Sequence, residues 1–363
     1  MFKTIVPEGK IIVAPDSGNM SYMGRIEMTD PASPRFIWAG SNVRMRFTGT
    51  SVSALIRNRR FYNSMLLGFI IDGREDKIAF GEEDGEYLLE LASGLEEGEH
   101  EIILFKRQDA THYFDFGGFI IDGDAEALDP PELPERKIEC FGDSVSAGAV
   151  VEAVENVGQC DPEPNDGRWD NAWHSYAAIT ARNLGAQLND TAQGGISVFD
   201  RTGYYHSPDC IGMETAYDKT QYFPEDGGYT PWDFGKYIPD LVIFAVGQND
   251  QHVEGGPDPD IRDEAFRRKW KDGYIGIINS LREKYPEARF VLLLTVLCHD
   301  PEWDKAVEEI TQELGDEKIT HFMFTRTGKA TPGHPRLPEQ YEMATELTAY
   351  ISTKLAGKLW QDR

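Results

Sequence analysis

The segment Phe141-Gly142-Asp143-Ser144-Val145-Ser146-Ala147-Gly148 follows the short run Lys137-Ile138-Glu139-Cys140 and carries a hydroxyl where a strand gives way to a turn. The small residues that continue it read as the opening of a helix. A serine in that place stands beside backbone N–H groups that are already oriented, and such donors can hold an oxyanion as it forms. A serine hydroxyl is a poor nucleophile at neutral pH and needs a base within hydrogen-bond reach. Histidine suits that task because its unperturbed pKa lies near the working pH. These residue types therefore permit acyl transfer through serine. Gly-Asp-Ser alone is an ordinary turn sequence, so the reading depends on what else the chain brings.

Three further pieces follow in order. Asn189-Asp190-Thr191-Ala192-Gln193-Gly194-Gly195 comes after a helical stretch and supplies glycines that let backbone approach a ligand. Leu241-Val242-Ile243-Phe244-Ala245-Val246 is a continuous apolar run of the buried parallel-strand kind, and polar side chains emerge at its end in Gly247-Gln248-Asn249-Asp250. Gly333-His334-Pro335 precedes the C-terminal helix. Ser, Gly, Asn and His in this order resemble the SGNH (GDSL-type) hydrolase superfamily, over residues 136 to 363. The resemblance implies Ser144 as nucleophile, His334 as base, and the Ser144 N–H, the Gly194 N–H and the Asn249 side chain as oxyanion donors. One position departs from it. The superfamily usually carries Asp three residues before the histidine, and here that residue is Thr331, which cannot supply a charge. Either a carboxylate arrives from elsewhere, with Asp300 a candidate in the loop after Val291–Leu297, or a backbone carbonyl holds His334. We favour the second, a Ser–His dyad.

The first third of the chain has a different texture. Val43-Arg44-Met45-Arg46-Phe47-Thr48 alternates apolar and polar, and Val52, Ala54 and Ile56 continue the pattern after a break. Glu99–Arg107 and Phe119–Asp122 read as further strands, with turn clusters at 71–74, 82–85 and 94–98. Short strands with regular punctuation predict a β-sandwich. Trp38-Ala39-Gly40-Ser41, Gly68–Gly73, Gly94–Arg107 and Phe116–Asp122 resemble the N-terminal jelly-roll domain of carbohydrate esterase family 2. That domain precedes an SGNH domain, so the resemblance covers nearly the whole chain. It implies an acetyl xylan esterase type of activity: removal of O-acetyl groups from xylan or glucomannan through an acyl-enzyme. Two other readings stay open, an SGNH lipase or thioesterase and a carbohydrate-binding protein without turnover.

These features imply a sandwich over 1–125, an acidic, proline-rich connector over 126–135 and an α/β SGNH domain over 136–363, a parallel sheet flanked by helices. Expected helices are His174–Leu184, Asp263–Tyr285 and Pro338–Leu359; in the last, Ala344, Leu347, Ile351, Leu355 and Leu359 share one face. Phe290–Leu297 reads as another buried strand.

The 363 residues carry 36 basic and 62 acidic side chains, a net charge of −26. Such a surface disfavours nucleic acid and anionic lipid, whereas a neutral acetylated polysaccharide meets no such penalty. No metal-ligand spacing, nucleotide-binding glycine motif or Gly-x-Ser-x-Gly elbow occurs, so neither metal nor cofactor is expected. Trp232, Trp303 and Tyr204 lie in loops beyond strand ends, and one or more of them is expected to form a sugar-stacking surface. Cys140 and Cys298 read as buried thiols beside strands, and Cys160 and Cys210 as loop cysteines that could pair in an oxidising compartment, although free thiols are the expectation. The chain as given shows no apolar leader or membrane-length segment, which makes a cytoplasmic protein the direct expectation and a secreted one the alternative if a leader has been removed.

Overall fold

The computed structural model describes residues 2–59, 65–79, 81, 83–223, 229–253 and 255–360. Glu82, part of one expected turn cluster, lies outside the described residues. The chain divides into two compact units, Met1–Leu133 with Asp166–Arg168, and Pro134–Asn165 with Trp169–Arg363.

The first unit is a pair of antiparallel sheets. One runs Ile26–Glu27, Arg35–Phe36, Tyr113–Asp122, Val52–Arg59, Gly85–Ala92, with Lys10–Val13 also paired to Tyr113–Asp122. The other runs Met20–Met23, Asn42–Thr48, Glu99–Lys106, Leu66–Ile71, Arg74–Ala79. Alternation explains the core: Val43, Met45 and Phe47 meet Val52, Ala54 and Ile56 between the sheets, where burying such side chains is the main stabilising term. The strand Tyr113–Asp122 carries a bulge between Phe116 and Gly118. The extra residue resets the two-residue period, so that Phe114 and Phe116 before it and Phe119 and Ile121 after it all reach the core. The expected connector is ordered onto this unit in its first half, with the Leu128 N–H donating to Arg46 O at 2.9 Å and the Thr48 N–H to Glu126 O at 2.9 Å.

The second unit holds a five-stranded parallel sheet in the order Ala186–Ala192, Arg136–Gly142, Leu241–Ala245, Arg289–Leu292, Ile319–His321. The first strand in sequence, Arg136–Gly142, therefore lies between the second and the third, and the chain switches direction of growth at its C-terminal end. Ligands of open α/β sheets bind at that crevice. The apolar run expected as a strand over 290–297 pairs only through Leu292; residues 293–296 stay buried but leave the ladder. The longer helices are Tyr176–Asn183, Glu264–Lys284, Pro301–Leu314 and Leu337–Tyr350, the last continued by Ile351–Leu355 and Ala356–Leu359. Met343, Ala344, Leu347, Ile351 and Leu355 face the sheet. The helix Pro301–Leu314 is absent from the sequence reading although its signals are present: Asp300 caps it, Pro301 opens it and Gly315 closes it with φ 57°. No helix among the described residues is long and apolar enough to cross a membrane.

Gly118 sits at φ 119°, and a Cβ there would lie 2.4 Å from the Val13 carbonyl oxygen. Gly118→Ala is expected to destabilise the sandwich by ~2–3 kcal/mol through backbone strain and crowding of the Lys10–Val13 strand. Urea unfolding checks this; an unchanged midpoint would contradict the bulge geometry.

Candidate active site

Ser144 lies two residues beyond the strand Arg136–Gly142, and 7% of its surface is exposed. The helix expected after it does not form. Instead a series of turns carries the chain outward, tied by Ala147 N–H to Asp143 O at 3.0 Å and Ala149 N–H to Ser144 O at 2.9 Å. Gly148 at φ 74° and Val150 at φ 56° are incompatible with a continuing right-handed helix. The Val145 N–H is already engaged, donating to the Asp143 carboxyl at 3.0 Å.

His334 reaches this serine from the far end of the chain, with Nε2 2.9 Å from Ser144 Oγ. Gln340, fully buried on the helix that follows the histidine, joins the two loops: its amide nitrogen lies 3.4 Å from Val145 O and 3.5 Å from Pro335 O, and its oxygen accepts the Tyr176 N–H at 2.8 Å. The partner of Nδ1 is a carboxylate from elsewhere in the chain, the first of the alternatives raised above, but it is not Asp300. It is Asp161, whose Oδ2 is 2.7 Å from Nδ1 and whose Oδ1 accepts the His334 N–H at 2.9 Å. The dyad held by a backbone carbonyl is therefore replaced by a carboxylate. Asp300 is occupied elsewhere: it caps Pro301–Leu314 and pairs with Arg262 at 2.6 Å. Partial burial alone would push the Asp161 acid upward, but the hydrogen bonds and charge of His334 and the charge of Arg336 outweigh it and bring its pKa down to about 2. Asp161 lies in an Asp- and Pro-rich stretch that reads as plain loop. The one hint in the sequence is Thr331, which leaves the histidine without an acid on its own loop.

The two strands that flank Arg136–Gly142 carry the other expected residues at their C-terminal ends. Gly194 follows Ala192, and Asn249 follows Ala245; both of those residues pair with Gly142. Asn189–Ala192, to which no strand was assigned above, are the end of a strand whose polar content masked it. The Asn249 side chain donates from Nδ2 to Ile196 O at 2.9 Å, which ties the Gly194 loop to the Asn249 loop with one of its two amide hydrogens and leaves the other. Gln248 and Asp250 anchor the same turn, the first accepting from Thr295 Oγ1 at 2.7 Å and the second from Val198 N–H at 3.0 Å.

The expected aromatic surface is largely corrected. Trp303 is 3% exposed, packed edge-on against Trp270 at 5.1 Å and Phe266 at 6.1 Å between two helices, and offers no face to a ligand. Trp232 is likewise buried. Tyr204 is different: 54% of it is exposed, its ring stacks on His252 at 4.2 Å, and its N–H donates to Gly195 O at 2.8 Å. Among the cysteines, Cys140 and Cys210 are buried and Cys160 and Cys298 exposed, all four as free thiols; Cys298 lies beyond the shortened strand, not beside it. No group of three or more His, Cys, Asp or Glu among the described residues is arranged to hold a metal.

Beneath the nucleophile lie three buried acids. Burial pushes Asp143 up to about 6 against the opposing Val145 N–H bond and the charges of His334 and His299; it pushes Asp250 to about 7 and Asp190 well above the carboxylate range. Asp143 Oδ2 is buried with no hydrogen-bond partner among the described residues, so an ionised carboxylate there would be uncompensated. Because its folded pKa is raised, Asp143 favours the fold most at low pH, and that contribution is lost as pH rises from about 4 to about 6, roughly 3 kcal/mol in all. Asp143→Asn, which mimics the neutral acid, is expected to remove that slope. Unfolding free energies of both proteins between pH 4 and 8 check it; parallel curves would contradict it.

With this geometry in place, comparison with known proteins fixes the family. Residues 22–131 match the family model described as carbohydrate esterase 2 N-terminal, and residues 140–342 match that of the GDSL-like lipase/acylhydrolase family. The chain is 31% identical over 353 residues to the cellulase/esterase CelE of Acetivibrio thermocellus, covering 94% of this chain but 40% of that protein's length. It is 26% identical to an acetylxylan esterase / glucomannan deacetylase of Cellvibrio japonicus, over 93% of this chain and 90% of that one. A family two carbohydrate esterase from Clostridium thermocellum, solved in complex with cellohexaose, superposes with a TM-score of 0.76 at 30% identity, covering 93% of this chain and 99% of that one. A jelly-roll-type sandwich followed by a parallel-sheet hydrolase unit, matched by relatives over nearly its whole length, places this chain in family 2 of the carbohydrate esterases, within the GDSL-like hydrolases.

Proposed function

We propose that the protein is a serine esterase that removes O-acetyl groups from plant-type polysaccharides such as acetylated xylan or glucomannan. The observation that carries the proposal is the 2.9 Å approach of His334 Nε2 to Ser144 Oγ at the crevice where the parallel sheet changes direction. As Ser144 Oγ bonds to the acetyl carbonyl carbon, Nε2 accepts the hydroxyl proton, and the carbonyl oxygen becomes an anion. The Ser144 N–H, the Gly194 N–H and the remaining Asn249 amide hydrogen are the donors assigned to that anion. Collapse breaks the bond to the sugar oxygen, which takes the proton from His334 and leaves. Water then attacks the acetyl-enzyme, gives its proton to His334, and releases acetate as Ser144 recovers its hydrogen.

Tyr204 is the aromatic surface assigned to the sugar chain, since its exposed ring adjoins the Gly194–Gly195 loop and a pyranose presents an apolar face to such a ring. The acidic surface, at −26, repels polyanions and leaves neutral glycans unhindered.

Ser144→Ala is expected to lower kcat on 4-nitrophenyl acetate and on acetylated xylan by about 10⁴-fold or more. Asn249→Ala should cost about 10²–10³-fold in kcat with KM nearly unchanged, because the lost donor acts on the transition state. Retained turnover in the first variant would reject serine catalysis at this site. Tyr204→Ala should raise KM for acetylated xylan about tenfold and leave the small ester unaffected; equal KM values on the polymer would remove Tyr204 from the sugar surface.

A further inference from the structure

Thr331, at the place where the superfamily usually keeps its acid, performs another task. Its hydroxyl donates to Gln159 O at 3.4 Å, and its N–H donates to the Glu339 carboxylate at 2.9 Å. Arg336, fully buried, acts on the same segment: Nη2 lies 3.2 Å from Cys160 O and 3.5 Å from Gln159 O, while Nη1 pairs with Asp161 Oδ1 at 2.9 Å and also bonds His334 O. Glu339 in turn accepts the Arg336 N–H at 3.0 Å. Residues 159–161 are thus pinned to the histidine loop by three of its own members. The two carboxylate oxygens are divided, Oδ2 to Nδ1 and Oδ1 to the His334 N–H and the guanidinium, so rotation of the carboxylate is fixed. Gly333 makes room for this approach: it sits at φ 110°, and a Cβ there would lie 2.4 Å from Asp161 Oδ1.

With Asp161 on Nδ1 as already described, we propose that Arg336 is a positioning residue that holds this upstream segment, and with it the carboxylate, against the histidine loop. The proposal rests on the reading of Ser144 and His334 as the reacting pair. A carboxylate on Nδ1 keeps the proton there, leaves Nε2 free to accept from serine, and stabilises the imidazolium once it forms. The guanidinium contributes indirectly, by setting where the carboxylate stands. A buried arginine without that carboxylate would be an uncompensated charge, so the two residues require each other.

A double-mutant cycle with chemical rescue tests this. On 4-nitrophenyl acetate, Asp161→Asn is expected to lower kcat about 10²–10⁴-fold with KM within about threefold. Arg336→Lys should lower kcat about 10–100-fold alone and add almost nothing in the Asp161→Asn background. Formate should restore turnover to Asp161→Ala in a saturable manner, a response that a merely structural residue would not give. If Arg336→Lys fails to fold, Gly333→Ala, which crowds the same oxygen, takes its place in the cycle. Near wild-type kcat in Asp161→Asn, multiplying losses in the double variant, or no response to formate would each overturn the proposal. Ser144→Ala is assayed alongside: an inactive Ser144→Ala with unimpaired Asp161 variants rejects this inference alone, whereas an active Ser144→Ala rejects the serine mechanism beneath it.

Discussion

The contact between Ser144 Oγ and His334 Nε2 spans 190 residues of sequence, and most of the second unit can be understood as the means of keeping those atoms 2.9 Å apart. A hydroxyl and an imidazole held at hydrogen-bond distance gain little stability of their own, because water would satisfy both. Their approach has to be enforced by groups that have no better alternative. Gln340 is one such group: buried completely, it faces the carbonyls of Val145 and Pro335, one just after the nucleophile and one just after the base. The Leu337 N–H adds a second tie, donating to Val151 O at 2.9 Å. The helix that follows His334 is thereby fastened to the turn that follows Ser144, and its apolar face is buried against the sheet that bears the serine.

The polar residues at the sheet's C-terminal edge carry the cost of this arrangement. Asp143, Asp190 and Asp250 are all buried and all pushed toward the neutral form by desolvation. Asp250 offsets part of its cost by accepting the Val198 N–H, and Gln248 does so by bonding Thr295, so both fix loops that would otherwise drift. Asn249 lies between them and spends one amide hydrogen on Ile196 O, which orients the other. Preorganisation of that kind is the feature that lets donors act on a forming anion without first rearranging.

Much of this was legible in the sequence, and for identifiable reasons. Continuous apolar runs at 241–245 and alternation at 43–56 mark strands because burial on two faces or one leaves those periods. Ser144 and His334 stand out because each follows a recognisable element and because the order of the pieces is distinctive. Asp161 was not legible: a carboxylate in a loop rich in aspartate and proline carries no signal of its own, and its role is visible only once Arg336 and Gly333 are seen around it. The aromatic residues failed for the opposite reason. Topological placement beyond a strand end suggested exposure for Trp303, but the helix capped by Asp300 turns that ring into the space beside Trp270. Polar residues 189–191 hid a strand because a sheet edge next to a reaction site tolerates side chains that an ordinary core would not.

All of this chemistry runs through Ser144 Oγ. Titration with a serine-reactive 4-nitrophenyl alkylphosphonate, followed by peptide mapping, tests it most directly. One phosphonyl group per chain, carried by Ser144, is expected, with esterase activity lost in proportion to labelling. Labelling confined to another residue, or full activity in protein labelled at Ser144, would contradict it.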